Sequence, residues 1–313
     1  MTLGADQAGS IRMPASWSGV VGLKPTYGLV PYTGIAPLEG FFDHVGPMTR
    51  TVTDNARLLS VLAGSDGIDP RQRDIEVGDY LSGIDAGVQG LRIGVLQEGF
   101  GTGGAEPEVD ATVRAAVESL RGRGAVVEDV SVPLHALGPA LWTAIAIEGM
   151  AETVLRNLGF GFGRADWYPV DMMEHLHDRR ADVSGRPANV VLFTLVGRWV
   201  DAQQGRLNYA RAVNRTRTLR AAYDAALRDV DVLVTPTTPQ TARPLPDPEH
   251  GPGAAIQASI EMSTNTTPFN ITHHPALSVP CGEVAGLPVG LQVVGRHFDE
   301  ATVYRVGRAL ETA

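Results

Sequence analysis

The segment at residues 1–28, MTLGADQAGSIRMPASWSGVVGLKPTYG, decides how this chain is interpreted. It places Ser10 directly after Ala8 and Gly9, two small residues that let the backbone turn tightly and bring successive N–H groups towards a ligand. A serine hydroxyl attacks a carbonyl only when a base takes its proton and donors hold the resulting oxyanion. The segment therefore predicts a loop suited to acyl transfer, followed by a helical turn at residues 11–15. A purely structural turn is the alternative, because such short patterns also occur by chance.

Longer matches to a known family favour the first interpretation. GADQAGSIRMPASWSGVVGLKPTYG at residues 4–28 resembles the signature segment of the amidase signature family. Further matches are DHVGPMTRTV at 43–52, DVLVTPTTP at 231–239, TPFNITHHPALSVPCG at 267–282 and GLPVGLQVVGR at 286–296. Within the family, KPTYGLVPYTG at 24–34 and GRHFDEATVYRVGRA at 295–309 are most similar to the enantioselective amide hydrolases associated with nitrile degradation.

The resemblance implies a catalytic triad of two serines and a lysine. One serine attacks the amide carbon, a second serine with a cis peptide bond relays protons, and the lysine is the base. Ser10 matches the nucleophile, and Asp6 and Arg12 are expected to support its loop as an ion pair. The implied oxyanion hole consists of four backbone N–H groups, those of Gln7, Ala8, Gly9 and Ser10.

The relay serine and the base lysine belong to segments that precede this motif in the family. The chain has one lysine, Lys24, in an element that the family does not use as its base, so we expect it to be structural. A Ser-His arrangement is the other alternative, with His44 beside Asp43 or with the pair His273 and His274, because catalytic partners are recognised by geometry rather than by sequence position.

The first residues, Met1, Thr2 and Leu3, enter the motif without a polar cap and predict the tail of a buried strand. We therefore expect residues 1–313 to be a single amidase signature domain that lacks the N-terminal segment of the family. Upstream coding DNA with a lysine and a Gly/Ser-rich loop would restore the triad.

The predicted function is hydrolysis of a carboxamide to a carboxylic acid and ammonia through a seryl acyl-enzyme. One alternative is a non-catalytic remnant or a partner-dependent subunit, because the base and the relay are missing. Another is an amidotransferase A-type subunit that works on charged transfer RNA. By alignment, Phe42 and Trp142 are candidates for the walls of the substrate pocket, with plain core packing as the alternative.

Composition narrows the partners. The formal net charge of −9 leaves no basic footprint for nucleic acid, and the single cysteine, Cys281, excludes a disulfide framework and a cysteine-rich zinc site. Without a membrane-length apolar run or a signal peptide, the expectation is a cytoplasmic protein with a small-molecule amide as partner; a homodimer stays open. The family uses no metal or organic cofactor, and His175 and His177 are two apart, which predicts a solvated helix face.

Hydrophobic patterns predict the fold class. Residues 91–98, 107–121 and 125–132 form a strand, a helix and a strand, which is typical of a parallel crossover. Helices are predicted at 141–158, within 188–228 and after Asp299, and strands at 230–235, 276–280 and 289–294. The prediction is an α/β fold with a mixed, largely parallel central sheet flanked by helices. The loop at 159–163 is expected to border the acyl pocket. The Pro-rich loop at 236–253 is interpreted either as a rim or flap of the site or as a passive connection.

Two positions depart from the family pattern. Ala8 replaces the first glycine of G-G-S, and its methyl group would displace the loop if that position needs a positive φ. His273 stands where the family more often has glycine, which puts a bulky ring near the expected cleft. Both positions can therefore affect activity.

Overall fold

The computed structural model describes residues 1–73, 75–156, 160, 167–178, 186–245, 251, 253, 256 and 261–312. The main elements in chain order are β1 (Thr2–Asp6), α1 (Arg12–Trp17), β2 (Val21–Lys24), β3 (His44–Thr49), α2 (Val52–Leu62), β4 (Arg92–Leu96), α3 (Pro107–Gly122), β5 (Val126–Val130), α4 (Gly138–Met150), α5 (Val170–Asp178), α6 (Ala188–Gln204), α7 (Leu207–Asp229), β6 (Val232–Pro236), α8 (Thr267–Thr272), β7 (Ala276–Val284), β8 (Leu287–Val294) and α9 (Glu300–Glu311).

The strands form one mixed sheet in the order β1-β3-β2-β7-β8-β6-β4-β5. The mixed sheet flanked by helices is confirmed, but the expectation that it is largely parallel is wrong. Within the described ranges, only the pairs β4–β5 and β4–β6 are parallel. The β7–β8 hairpin turns at Ala285 and Gly286, which both have positive φ, and such a two-residue turn makes its strands antiparallel.

Two apolar clusters cover the two faces of the sheet. Val232 and Val234 of β6 belong to one cluster and Leu233 to the other, because successive side chains of a strand point to opposite faces. Helices α2, α3 and α9 supply residues to the first cluster, and α4, α7 and α8 to the second. The sheet is therefore the middle layer between helices.

Several sequence predictions are confirmed. The strand, helix and strand predicted from residue 91 onwards are β4, α3 and β5, with β4 and β5 parallel. Asp299 caps α9 by accepting a hydrogen bond of 3.3 Å from the N–H of Thr302.

The prediction that residues 1–3 are the tail of a buried strand is wrong. The start of β1 is an exposed strand, since Met1 is 76% exposed and Leu3 52%. It lies at the edge of the sheet and has a strand on one side only in the described part of the chain.

Two predicted loops lie partly outside the described residues. Of residues 159–163 only Phe160 is described, and residues 246–250 and 252 of the Pro-rich segment are not. No helix among the described residues is both long enough and apolar enough to cross a membrane.

Candidate active site

Ser10 lies on the turn that joins the edge strand β1 to the short helix α1. Its side chain is exposed, and within the described ranges no residue makes a hydrogen bond to its Oγ. The turn continues into α1 through a hydrogen bond of 2.7 Å from the N–H of Met13 to the carbonyl of Gly9. The hydroxyl is thus presented to solvent from a turn whose backbone is held in place.

Asp6, the last residue of β1, is the centre of the network below this turn. Its carboxylate accepts the N–H of Gly9 at 2.8 Å and that of Ile11 at 3.2 Å. It also accepts two hydrogen bonds from the guanidinium of Arg12, at 2.9 and 3.0 Å, and neither side chain has exposed surface. One carboxylate therefore fixes the backbone on both sides of Ser10.

Residues from distant elements complete the network. Asn270 of α8 donates to the Asp6 carboxylate at 2.8 Å and accepts from Arg12 at 2.7 Å, while Gln292 of β8 accepts from Arg12 at 2.8 Å. Burial alone would raise the pKa of Asp6, but the charge of Arg12 and the hydrogen bonds from Arg12 and Asn270 hold it below its usual value. The carboxylate is thus ionised and paired, as a buried charge must be.

Gly9 is the residue of the turn that must be glycine. Its φ is +126°, and an added Cβ would lie 2.4 Å from Oγ1 of Thr266. Thr266 in turn donates to the carbonyl of Ala8. Ala8 itself does not have a positive φ, so its methyl group does not force the turn out of position.

The backbone N–H groups around Ser10 differ in availability. The N–H of Gly9 is taken by Asp6. Those of Gln7, Ala8 and Ser10 have no acceptor among the described residues. Because the N–H of Gly9 is bonded to Asp6, it is not free to act as one of the four predicted oxyanion donors, and the other three are free within the described ranges.

The carbonyl and the side chain of Gln7 are both held by aromatic residues. The indole N–H of Trp142, on α4, donates to the Gln7 carbonyl at 2.7 Å, and the Gln7 amide donates to the hydroxyl of Tyr32 at 3.0 Å. Phe42 stacks on Trp142 with ring centroids 5.6 Å apart. Because Phe42 has no exposed surface, its position favours core packing, whereas Trp142 is only partly buried and contacts the loop directly.

The first histidine alternative has no geometric support. His44 Nδ1 is 2.7 Å from the carbonyl of Phe42, and the carboxylate of Asp43 accepts from two backbone N–H groups rather than from a histidine. Neither side chain makes a hydrogen bond to Ser10. His44 and Asp43 therefore do not form the second and third members of a triad here.

The second histidine alternative, the pair His273 and His274, has no geometric support either. These histidines and the single lysine, Lys24, make their hydrogen bonds to groups other than Ser10. His273 Nε2 donates to the carbonyl of Phe41 at 2.7 Å, and His274 Nε2 lies 3.0 Å from a carboxylate oxygen of Asp224. Lys24 is fully buried on β2 and donates to the carbonyl of the next residue at 3.1 Å. Burial lowers the pKa of Lys24 well below its usual value.

His273 occupies a position that suits glycine. It ends α8 with a φ of +72°, the left-handed conformation common at helix C-termini. Its ring stacks on Tyr27 with centroids 4.2 Å apart. The departure from glycine at this position therefore adds a ring contact at the cost of backbone strain.

Sequence reasoning did not single out Asn270, Gln292 and Thr266. Asn270 and Gln292 lie inside the matched segments at 267–282 and 286–296, so the signal was present. A buried amide within an apolar run such as LQVV is a sign of a polar partner, since a buried polar group needs a hydrogen bond.

The chain thus has an α/β fold with an exposed serine on the turn between β1 and α1, above the buried ion pair of Asp6 and Arg12. A comparison with protein families identifies the family to which this fold and turn belong. The family profile described as Amidase matches residues 1–304, and the chain belongs to that family.

Individual relatives agree with this assignment. The chain is 43% identical over 308 residues to an enantioselective amidase of Rhodococcus rhodochrous, covering 97% of this chain and 59% of the relative. It is 37% identical over 320 residues to the glutamyl-tRNA(Gln) amidotransferase A subunit of Lysinibacillus sphaericus, covering 100% of this chain and 63% of the relative. The crystal structure of the A subunit from Thermotoga maritima has a TM-score of 0.77 at 32% identity, covering 99% of this chain and 61% of the other.

The chain thus spans about three-fifths of the length of the relatives that it matches, between 59% and 63%.

Proposed function

We propose that this chain carries the nucleophile of an amidase that converts a carboxamide to a carboxylic acid and ammonia. The observation that supports it most directly is the exposed hydroxyl of Ser10 next to the three backbone N–H groups that have no acceptor in the described part of the chain. Such preorganised donors stabilise the negative charge that develops when a serine attacks an amide.

In the proposed reaction, Ser10 Oγ bonds to the amide carbon as a base takes its proton. The carbonyl oxygen becomes an oxyanion held by the N–H groups of Gln7, Ala8 and Ser10. Collapse of this intermediate breaks the C–N bond, and the nitrogen leaves as ammonia with the proton returned to it. Water then attacks the acyl-enzyme, releases the acid and restores the hydroxyl.

The base in this proposal is the lysine that the family places before its signature segment, acting through the relay serine. In the ranges that the structure describes, no lysine or histidine makes a hydrogen bond to Ser10. The proposal therefore predicts that turnover depends on residues from that preceding segment, supplied by a longer form of the chain or by a partner.

Similarity to known proteins supports one substrate class within this proposal. The identity to an enantioselective amidase, 43%, exceeds the 37% to an amidotransferase subunit, and it supports a simple aliphatic or aromatic carboxamide. We place its acyl group beside Trp142, whose partly buried ring lies next to the loop through its contact with Gln7. Phe42 supports that ring from within the core.

The test is ammonia release from aliphatic and aromatic amides by two proteins, the 313-residue chain and the same chain preceded by the N-terminal segment of the Rhodococcus relative. We expect turnover in the second protein and its loss with Ser10→Ala. Ser18→Ala is the matched control, because Ser18 is an exposed serine at the end of α1. It should change the rate by less than about twofold, since surface replacements away from a site have small effects.

Other outcomes separate the alternatives. Turnover that survives Ser10→Ala would remove Ser10 from the mechanism. If a correctly folded extended protein is inactive on every amide, the remnant is favoured. Ammonia transfer that appears only when charged transfer RNA is present with partner proteins would identify an amidotransferase subunit instead.

A further inference from the structure

A cluster of two histidines and an aspartate lies outside the Ser10 network. Asp224 is on α7, His274 lies between α8 and β7, and His297 lies between β8 and α9. His274 Nε2 is 3.0 Å and His297 Nδ1 is 3.8 Å from the same oxygen, Oδ1 of Asp224. The three potential ligand atoms all lie within 4.8 Å of one another. Three separate elements therefore bring one oxygen and two ring nitrogens to a single point.

The proton on His297 can be placed from its other contact. His297 Nε2 is 3.1 Å from the carbonyl oxygen of Thr272. A carbonyl only accepts hydrogen bonds, so Nε2 carries the proton of the neutral ring. The lone pair of His297 is then on Nδ1, the nitrogen that faces Asp224.

The same reasoning applies to His274. Its Nδ1 is 3.0 Å from Oγ1 of Thr272, and that hydroxyl donates its own proton to the carbonyl of Pro268 at 2.9 Å. With its proton directed at Pro268, the hydroxyl accepts from His274, and the ring proton of His274 is then on Nδ1. The lone pair of His274, on Nε2, also faces Asp224.

In this tautomeric state two nitrogen lone pairs and a carboxylate converge on one another, and a cation bound between them would stabilise the arrangement. Zn²⁺ holds nitrogen and oxygen ligands at about 2.0–2.2 Å, so tetrahedral ligand atoms lie about 3.4 Å apart. The observed separations of 3.0 and 3.8 Å lie on either side of that distance. Both outer ring nitrogens are hydrogen-bonded to Thr272, which is the support that metal-bound histidines usually have.

We propose that Asp224, His274 and His297 form a binding site for a divalent transition-metal ion, with Zn²⁺ the best match to the two nitrogens and one oxygen. The side chain of Asp224 is 45% exposed, which leaves the fourth coordination position open to water. The sequence predicted no metal site, because the three ligands are separated by 50 and 23 residues and no short motif joins them.

Arg220 is a positive charge close to the site, one turn before Asp224 on α7. Its guanidinium donates to the carbonyl of Thr272 at 2.9 Å and contacts His273 Nδ1, so it is directed at these groups rather than at Asp224. Its charge still opposes a second cation. We therefore expect Arg220→Gln to bind the metal more tightly than the unchanged protein does.

The site would join three parts of the fold. Thr272, which holds both histidines, is the last residue of α8, and Asn270 on the same helix holds Asp6 below the Ser10 turn. An ion at Asp224 would tie the C-terminal end of α8 to α7. Metal binding is thus expected to stabilise the folded chain, because an ion that binds only the folded state shifts the unfolding equilibrium.

The experiment is a calorimetric titration of Zn²⁺ into chelator-treated 313-residue protein, with the visible spectrum of the Co²⁺ form as a report on ligand geometry. We expect one ion per chain. Asp224→Asn and His297→Gln should each weaken binding by more than about tenfold, which is the loss typical when metal-site support is removed. The matched controls are His175→Gln on α5 and Asp229→Asn on α7, which are expected to bind as the unchanged protein does.

Circular dichroism without metal shows whether each variant is folded, and thermal unfolding gives a second readout. Zn²⁺ should raise the melting temperature of the unchanged protein and not that of folded Asp224→Asn. The absence of stoichiometric Zn²⁺ binding would overturn the proposal. It would also be overturned if Asp224→Asn and His297→Gln bound Zn²⁺ as tightly as the unchanged protein does. A His274 imidazolium paired with Asp224 and no uptake of metal would overturn it as well.

Discussion

The indole N–H of Trp142 donates a hydrogen bond of 2.7 Å to the main-chain carbonyl of Gln7, three residues before Ser10. This contact connects α4, in the helical layer, to the turn that carries the proposed nucleophile. It fixes the peptide plane that follows Gln7, and with it the direction of the Ala8 N–H. We therefore regard Trp142 as a positioning residue for the oxyanion donors.

Trp142→Phe should loosen this turn. The replacement keeps an aromatic ring against Phe42 but removes the hydrogen-bond donor. The loss of a typical hydrogen bond lowers the free energy of unfolding by about 1 kcal/mol. We expect faster amide hydrogen exchange at residues 7–10, measured by mass spectrometry, and a lower kcat in the active form of the enzyme.

Trp17→Phe is the matched control for that experiment. Trp17 also donates its indole N–H to a main-chain carbonyl, that of Gln240, at 3.0 Å. It should lower stability similarly but leave exchange at residues 7–10 unchanged. Equal effects of the two replacements on that exchange would show that Trp142 has no particular influence on the turn.

Asp6→Asn should lower the free energy of unfolding far more than a surface replacement does. It leaves the fully buried guanidinium of Arg12 without its counter-charge, and breaking a buried pair in this way costs about 3–5 kcal/mol. Glu118→Gln, in the exposed pair with Arg121, should cost less than about 1 kcal/mol. Urea denaturation gives both values, and similar losses for the two variants would contradict the central role of Asp6.

Gly9 and Ala8 make a matched pair for testing the backbone of the turn. Gly9→Ala adds a Cβ at a φ of +126° and 2.4 Å from Oγ1 of Thr266, so we expect a loss on the order of 2 kcal/mol or more. Ala8→Gly should cost less than about 1 kcal/mol, mainly through the entropy of the unfolded chain. Thermal and urea unfolding would show the difference, and a tolerated Gly9→Ala would mean that the turn can adopt another backbone conformation.

The carboxyl group of Asp43 should make stability depend on pH. Burial raises its pKa from the ordinary 3.8 to about 7. Between these two values the folded protein holds the proton and the unfolded chain has lost it. Raising the pH from about 4 to about 7 therefore favours unfolding, and the effect levels off above that range.

Asp43→Asn removes this ionisation and should flatten the fall in unfolding free energy between about pH 4 and 7. Urea unfolding at several pH values, with the exposed Asp229→Asn as control, measures the slope. A difference between Asp43→Asn and the unchanged protein that stays constant across this range would show that Asp43 is not the titrating group.

Local patterns predicted the parts of the fold that depend on neighbours in sequence. The strand, helix and strand of β4, α3 and β5 were recognisable because apolar spacing reports the face that each element buries. The pairing of β1, β2, β3 and β7 was not, since antiparallel partners can lie anywhere in the chain. Only Ala285 and Gly286, a two-residue turn, offered a local sign of that direction.

In the candidate site, too, only the residues that are neighbours in sequence could be predicted. Ser10, Asp6 and Arg12 lie within one motif and could be placed together from the sequence. The partners Asn270 and Gln292 could not, because their contacts with Asp6 and Arg12 span 264 and 280 residues. Likewise, the three proposed metal ligands become neighbours only when α7 and α8 have packed.

The network below Ser10 joins segments that lie 264 and 280 residues apart in the chain, and this affects the order in which the fold can form. The hydrogen bonds that span the greatest separation in sequence run from Asn270 to Asp6 and from Arg12 to Gln292. Synthesis proceeds from the N-terminus, and contacts of such long range form late because a large loop must close first. The turn that carries the serine is therefore translated well before the residues that hold it, and it is ordered only after they have been made. A nascent chain that stops before Asn270 would carry the signature motif without the contacts that hold the turn, so the turn becomes rigid only after these later residues have been made.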